Sequence, residues 1–385
     1  MSFIGQNTLR TKQLNRALVF QTLLRFEAPT RQEIAAFTKL TPATITNIIS
    51  ELMAEGFVIE LGTGVSDRKR AGRKTVVLGL NEEVKRVAAI HIRSDRVEMG
   101  IVTLKGNVLT STSFTIPEKI NQVEFLRLLI DKLQSFLHKN QRLSVSCIGI
   151  GSVGLVDFDN GSILEAEHLG WKNVNLASEL SDIFHVPVYL DHNVRGMALG
   201  EKMFGSCKNH SDFLSVYIGQ GIGAGLFLND QLYRSELTGA GEIGHMTYQP
   251  EGIDCWCGNK GCLERYASEE ALLHALNLES ASSIIKASQN GDAKVNHALM
   301  EAGERIAIVL TSFINMFHVQ KIVIGGELAK ADLPLIQEIR GKVNTLSFLA
   351  KKRNIEIVTT DLGEHQGIIG AASVALLYGV FTANK

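Results

Sequence analysis

The stretch GHMTYQPEGIDCWCGNKGC, residues 244–262, carries one histidine and three of the chain's five cysteines. His245, Cys255, Cys257 and Cys262 make a Cys3His set, a common composition for a closed tetrahedral zinc site, and the intervening glycines let the chain fold tightly around an ion. With all four positions filled by protein, such a zinc is structural and keeps no open position for an activated water. The alternative is a group of reduced, buried thiols. Five cysteines bunched in this way do not make a disulfide framework and point to a reducing compartment, and Cys147 and Cys207 read as isolated buried thiols.

Two carboxylates flank the cluster. Glu242 lies three residues before His245, and Glu264 follows Cys262 by two. A metal would pin both beside an imidazole, and rigid acceptors next to a histidine N–H suit the vicinal hydroxyls of a sugar. A capping role for Glu242 and a solvent-facing Glu264 stay open. The glycine run 219–225, GQGIGAG, fits a phosphate cradle and a tight β-turn equally well.

Outward from this site, residues 81–385 alternate in the α/β manner. A strand meander is expected over 86–92, 97–102 and 108–114, then a helix over 123–137 and a strand over 145–151. Strands at 186–190 and 213–218 flank a helix over 193–204. A long helix over 298–317, strands at 321–325 and 355–360, and a closing helix from Gly367 complete two α/β lobes around a cleft.

Residues 1–80 read differently. They hold eleven Lys and Arg against six Asp and Glu, a balance of +5 in a chain of net charge −1, so only the front end suits a polyanion. A first helix is expected over 12–26, stopped by Glu27-Ala28-Pro29. Thr30 with Glu33 forms a capping box for a second helix, and Thr41 caps a third that has Pro42 at its first position. Ile45, Ile48, Ile49, Leu52 and Met53 form one buried stripe on that helix. Its other face shows Thr41, Ala43, Thr44, Thr46, Asn47 and Ser50, short hydrogen-bonding groups of the kind that enter a major groove. Segments 57–61 and 75–80 pair as a hairpin, and Arg68, Lys69, Arg70, Arg73 and Lys74 at its tip suit phosphates or a minor groove. The pattern predicts a winged helix-turn-helix that binds double-stranded DNA, with a protein-docking module as the alternative.

The length of 385 residues, 45% hydrophobic and 21% charged composition and 35 glycines describe a globular chain of two or three domains. The N-terminus has no apolar export segment, and no window reaches the ~18 apolar residues of a membrane span. A cytoplasmic location without membrane attachment is expected.

Together these residues resemble the ROK family (repressor, open reading frame, kinase), through GIGAG, GEIGH and CWCGNKGCLE. The likeness covers essentially the whole chain, and the winged helix resembles the family's repressor branch, which includes xylose-operon and N-acetylglucosamine repressors. The resemblance implies an α/β class with an actin/hexokinase-like (ribonuclease H-like) two-lobed sugar-kinase fold behind the winged helix. It implies a DNA-binding domain over 1–80 and a small lobe over 81–192 completed by a C-terminal helix, 366–385. The large lobe, 193–365, would carry the zinc site and the surface for a homodimer or homotetramer. It further implies zinc on His245, Cys255, Cys257 and Cys262, and a sugar or sugar phosphate contacted by His192, Asn193, Glu242, His245 and Glu264.

Two departures from the family's kinases stand out. Their Asp-x-Gly-Gly-Thr loop is replaced by His91-Ile92-Arg93-Ser94-Asp95, and Asn193 stands at the catalytic aspartate. An amide hydrogen-bonds a hydroxyl but cannot take its proton near neutral pH. The reading is therefore a non-enzymatic, sugar-responsive repressor of a pseudo-palindromic operator in carbohydrate-utilisation genes. The alternatives are a ROK-type sugar kinase and a regulator docked by a sugar-transport phosphocarrier domain.

Overall fold

The computed structural model describes residues 8–63, 76–235, 240–330 and 332–382. At the N-terminus α1 (Thr8–Arg25), α2 (Arg31–Thr38) and α3 (Pro42–Ala54) precede an antiparallel pair, β1 (Val58–Thr63) and β2 (Val76–Leu80). Both expected caps are present. The Thr30 hydroxyl accepts from the Glu33 N–H while the Glu33 carboxylate accepts from the Thr30 N–H, and the Thr41 hydroxyl accepts from the Thr44 N–H. α1 begins four residues before its expected start, because its first turns are exposed and leave no apolar period to read. Ile45, Ile48, Ile49 and Leu52 of α3 are buried, whereas Thr41, Ala43, Thr46, Asn47 and Ser50 are exposed and Thr44 half-buried. Arg16 makes a two-pronged ion pair with Glu55 at 3.1 and 2.7 Å, which ties α1 to the end of α3. The wing cations Arg68, Lys69, Arg70, Arg73 and Lys74 lie outside the described residues.

The body opens with the meander β3 (Arg86–Ile92), β4 (Arg96–Thr103) and β5 (Val108–Thr115), then α4 (Gln122–Lys139) and β6 (Cys147–Ser152). A three-stranded sheet, β7 (Leu155–Asp157), β8 (Ser162–Ala166) and β9 (Trp171–Val174), precedes α5 (Leu176–Phe184) and β10 (Val188–His192). The first large sheet has the order β10-β6-β3-β4-β5, parallel across its first three strands and antiparallel beyond. β10 runs two residues later than expected, which brings Asp191 and His192 to its end. α6 (Asn193–Met203) leaves that end directly.

The second half continues with β11 (Phe213–Ile218), β12 (Ile222–Leu228) and β13 (Gln231–Leu232), then α7 (Glu264–Ala267), α8 (Glu269–Leu276), α9 (Ala281–Gln289) and α10 (Ala293–Phe317). β14 (Lys321–Gly325), α11 (Pro334–Leu346), β15 (Glu356–Thr359) and α12 (Gln366–Ala375) complete it. The second large sheet has the order β13-β12-β11-β14-β15. The glycine run is the turn and second strand of the β11–β12 hairpin. Gly225 lies so close to α6 that an added Cβ would stand 2.5 Å from Ala198 Cβ, so close packing accounts for this glycine, whereas Gly221 and Gly223 line the cleft between the sheets.

α12 joins the three units. It packs on α6, β3 and β6, and continues as a widened helical turn, Leu376–Phe381. There Phe381 stacks on Phe20 of α1 at 4.4 Å between ring centroids, and Phe20 meets Phe57 edge-on at 5.4 Å. These rings belong to one buried cluster with Ile45, Ile49, Val87, Ala371 and Leu376. Burying each ring stabilises the junction by roughly 1.5–3 kcal/mol, so the N-terminal unit is packed onto the body.

Candidate functional site

A cleft of about 440 Å³ opens between the two large sheets. The end of β10 and the start of α6 bring His192 and Asn193 to it, and the segment after β12 brings Glu242 and His245. The start of α7 supplies Glu264. All five expected sugar contacts thus line one space.

Ligand atoms of His245, Cys255, Cys257 and Cys262 lie within 4.8 Å of one another, a cluster that can hold a metal ion. His245 Nδ1 is 3.7 Å from Cys255 Sγ, and Cys257 Sγ is 3.7 Å from Cys262 Sγ. With Nδ1 on the cysteine side, Nε2 is the ring nitrogen left for another partner. Burial pushes the Cys255 and Cys262 thiols above their ordinary pKa, and a cation that exchanges their protons offsets that cost. Backbone bonds fold the loop: the Cys255 N–H donates to Asn259 O, and the Leu263 N–H to Met246 O.

Glu264 is buried against this cluster. Its Oε1 is 3.4 Å from Cys255 Sγ and 3.6 Å from His245 Nδ1, so it is neither a solvent-facing group nor independent of the metal loop. Glu242 makes no capping bond and stands 3.6 Å from His192 Nε2. Burial raises the Glu242 pKa to about 7, assisted by the neighbouring Glu264 and opposed by Arg195. Burial, with Arg195 adding to it, lowers His192 to about 3, so this imidazole is neutral at physiological pH. The site thus offers a neutral imidazole and carboxyls able to accept, or when protonated to donate, hydrogen bonds to hydroxyl groups.

Asn193 opens α6 with its side-chain oxygen accepting from the Val194 N–H at 2.7 Å. Its neighbour Asp191 is fully buried, bonded by Arg195 Nε at 2.7 Å and by Arg234. Burial alone would raise the Asp191 pKa, but the two guanidiniums outweigh it and hold the carboxylate below its ordinary value. Arg195 is accordingly a buried partner of Asp191.

His91 Nδ1 donates to the Glu98 carboxylate at 3.0 Å, and an added Cβ on Gly367 would stand 2.0 Å from its ring. After His91, Arg93 pairs with Asp95 at 3.1 Å and with Glu327 at 3.4 Å, and Arg96 also pairs with Glu327. Ser94 bonds Gln220. These ties cross from the β3–β4 turn to the second sheet's side of the cleft. Sequence reasoning missed them, as it missed the lining residues Glu165, Glu167, His168 and Trp256. For Trp256 a signal existed, its place between two cysteines of the cluster.

The fold and site define a two-lobed sugar-kinase-like body behind a helix-turn-helix. Residues 87–377 match the ROK family, and the chain belongs to it. Among similar proteins, the xylose repressor of Caldicellulosiruptor bescii is 30% identical, over 97% of this chain and 98% of its own. The DNA-binding transcriptional dual regulator NagC of Escherichia coli K12 is 30% identical, over 96% of this chain and 94% of its own. A solved ROK family transcriptional regulator, a homologue of the E. coli MLC protein, superposes with TM-score 0.81 at 25% identity, covering 97% of both chains. Among the described residues no helix is long and apolar enough to cross a membrane.

Proposed function

We propose that this protein is a cytoplasmic, sugar-responsive transcriptional repressor that reads a pseudo-palindromic operator of carbohydrate-utilisation genes and releases it when a sugar fills the cleft. One observation carries the reading. The same chain presents an uncharged, exposed recognition face on α3 and a cleft whose carboxylates and imidazole are built around a Cys3His cluster. The names of its relatives, repressors of xylose and N-acetylglucosamine, support the reading.

The division is a DNA-binding unit over 1–80, a small lobe over 81–192 closed by 366–385, and a large lobe over 193–365. The large lobe carries the zinc site and the surface through which a homodimer or homotetramer forms. Two copies set their recognition helices about one DNA turn, roughly 34–36 Å, apart. Thr41, Ala43, Thr44, Thr46 and Asn47 face the bases, and Arg68, Lys69, Arg70, Arg73 and Lys74 the backbone or minor groove. Zinc is the ion suited to three thiolates and one imidazole, and its place here is structural.

Phosphoryl transfer is disfavoured on two counts. Asn193 cannot act as base, and Asp191, two residues away, is neutralised by Arg195 and Arg234. The Arg93–Glu327–Arg96 ties stand where the family's kinases keep a glycine backbone for nucleotide phosphates. α12 offers the route of coupling, since it starts beside His91 and ends in the Phe381–Phe20 stack. A lobe movement of modest energy suffices: a coupling of about 1–3 kcal/mol shifts operator affinity ~5–150-fold.

Glu242→Gln tests the reading. The variant is expected to bind operator DNA with the affinity of the parent chain and to lose its response to sugar, measured by fluorescence anisotropy of a labelled duplex. Loss of DNA binding without sugar would make Glu242 a structural residue and count against the proposal. Asn47→Ala tests the other end: operator affinity falls by about 1–3 kcal/mol and discrimination relaxes at one base pair per half-site. Competition with single-base operator variants reads both effects, and uniform weakening at every position would remove Asn47 from base reading.

A further inference from the structure

We infer that Trp256 and His168 form the specificity wall of the cleft, and that the ligand they select is an uncharged pyranose with an unsubstituted C–H face. The inference rests on the sugar-binding reading above and names its ligand class. Trp256 lies on the metal loop between Cys255 and Cys257, yet 38% of it is exposed and it lines the cleft. Its ring meets His245 edge-on, 86° and 4.5 Å between centroids. His168, on the short turn after β8, packs against the same indole at 4.0 Å and continues the wall. The indole is thus held between a cluster histidine and the His168 imidazole, and the part of it left exposed faces the cleft that Glu242 and Glu264 also line. Pyranose rings present one face of C–H groups to such a surface while their hydroxyls project sideways to acceptors.

Charge decides against a phosphorylated ligand. Among the described residues, Glu165, Glu167, Glu242, Glu264 and Glu270 line the cleft, against a single Arg93. Arg93 is already shared by Asp95 and Glu327. Of the nearby cations, Lys172 pairs with Glu165 from a highly exposed position, and Arg195 is buried on Asp191. Neither lines the cleft. A phosphate dianion entering this space would meet carboxylates without a free guanidinium, whereas neutral hydroxyls find acceptors.

The chain has two tryptophans, and the other, Trp171, is fully buried against Phe125. Emission changes on ligand binding therefore report Trp256. The experiment is calorimetry and fluorescence on the full-length, zinc-loaded protein with D-xylose, D-glucose, N-acetyl-D-glucosamine, glucose 6-phosphate and N-acetylglucosamine 6-phosphate. A neutral sugar is expected to bind at least tenfold more tightly than any phosphorylated one and to shift the emission. Trp256→Phe should lose that shift. Trp256→Ala and, on a separate element outside the cysteine loop, His168→Ala should each weaken the sugar at least tenfold, with zinc content and melting temperature of the free protein recorded for both. His168→Ala keeps the test decisive if Trp256→Ala disturbs the metal loop. Tighter binding of a phosphorylated sugar, or undiminished binding by His168→Ala, overturns the inference and leaves the sugar-responsive reading intact. Absence of binding across the panel overturns that reading, and the inference with it.

Discussion

Cys262→Ser is expected to release the metal, lower the melting temperature by more than an ordinary core substitution, and abolish sugar binding. Cys262 is fully buried, and its sulfur sits 3.7 Å from that of Cys257. In small zinc-folded peptides the ion contributes roughly 10–16 kcal/mol of binding free energy. Even a fraction of that exceeds the ~0.5–3 kcal/mol of most point substitutions. The loop has little else to hold it: Cys257 and Trp256 are exposed, and its backbone bonds are those of turns and two isolated antiparallel bridges, Thr247–Cys262 and Asp254–Lys260. Released, it no longer fixes His245, Glu264 or Trp256. The hydrophobic cluster of the winged helix contains none of these residues, so DNA binding should survive within a few-fold. Metal content by atomic emission, thermal unfolding and calorimetry measure the three effects. Cys207→Ser, at a buried thiol outside the cluster, is the control that keeps its metal. Stoichiometric zinc and unchanged sugar affinity in Cys262→Ser would contradict the site.

Asp191→Ala should cost about 3–5 kcal/mol, the usual penalty for leaving buried charge without its partner. Both guanidiniums of the triad lose their carboxylate, and one, Arg195, is itself buried within α6. Asp191→Asn keeps the shape and should fall between Ala and the parent. Because the folded pKa is depressed, the triad's contribution is fully present above the ordinary carboxylate value and is lost as pH falls through the depressed one. The gap between parent and Asp191→Ala in urea unfolding should therefore hold at neutral pH and close only in strong acid. A variant as stable as the parent at pH 7 would show that the triad contributes nothing net.

Legibility in the sequence followed the range of the interactions. Thr30 with Glu33, and Thr41 with Pro42, act over three residues or fewer, so both helix starts were readable. The four members of the Cys3His cluster fall within eighteen residues, and their grouping was readable for the same reason. By contrast, Arg93 and Glu327 are 234 positions apart, and no local period connects them. The Phe20–Phe381 stack is equally remote, so the docking of the winged helix on the C-terminal turn could not be foreseen. β7, β8 and β9 have three to five residues each, too few for alternation to register. Glu165, Glu167 and His168 lie on that small sheet and the turn after it, and they were missed together with it.

The most direct test of a sugar-released repressor uses the full-length, zinc-loaded chain on random DNA duplexes. Bound sequences are enriched through successive rounds, and the best duplex is then titrated by anisotropy with and without a sugar that calorimetry shows to bind. The account predicts enrichment of a pseudo-palindrome with half-sites one DNA turn apart, and a fall in its affinity of ~5-fold or more when the sugar is present. Failure to enrich any sequence, or an operator affinity that saturating sugar leaves unchanged, would contradict it.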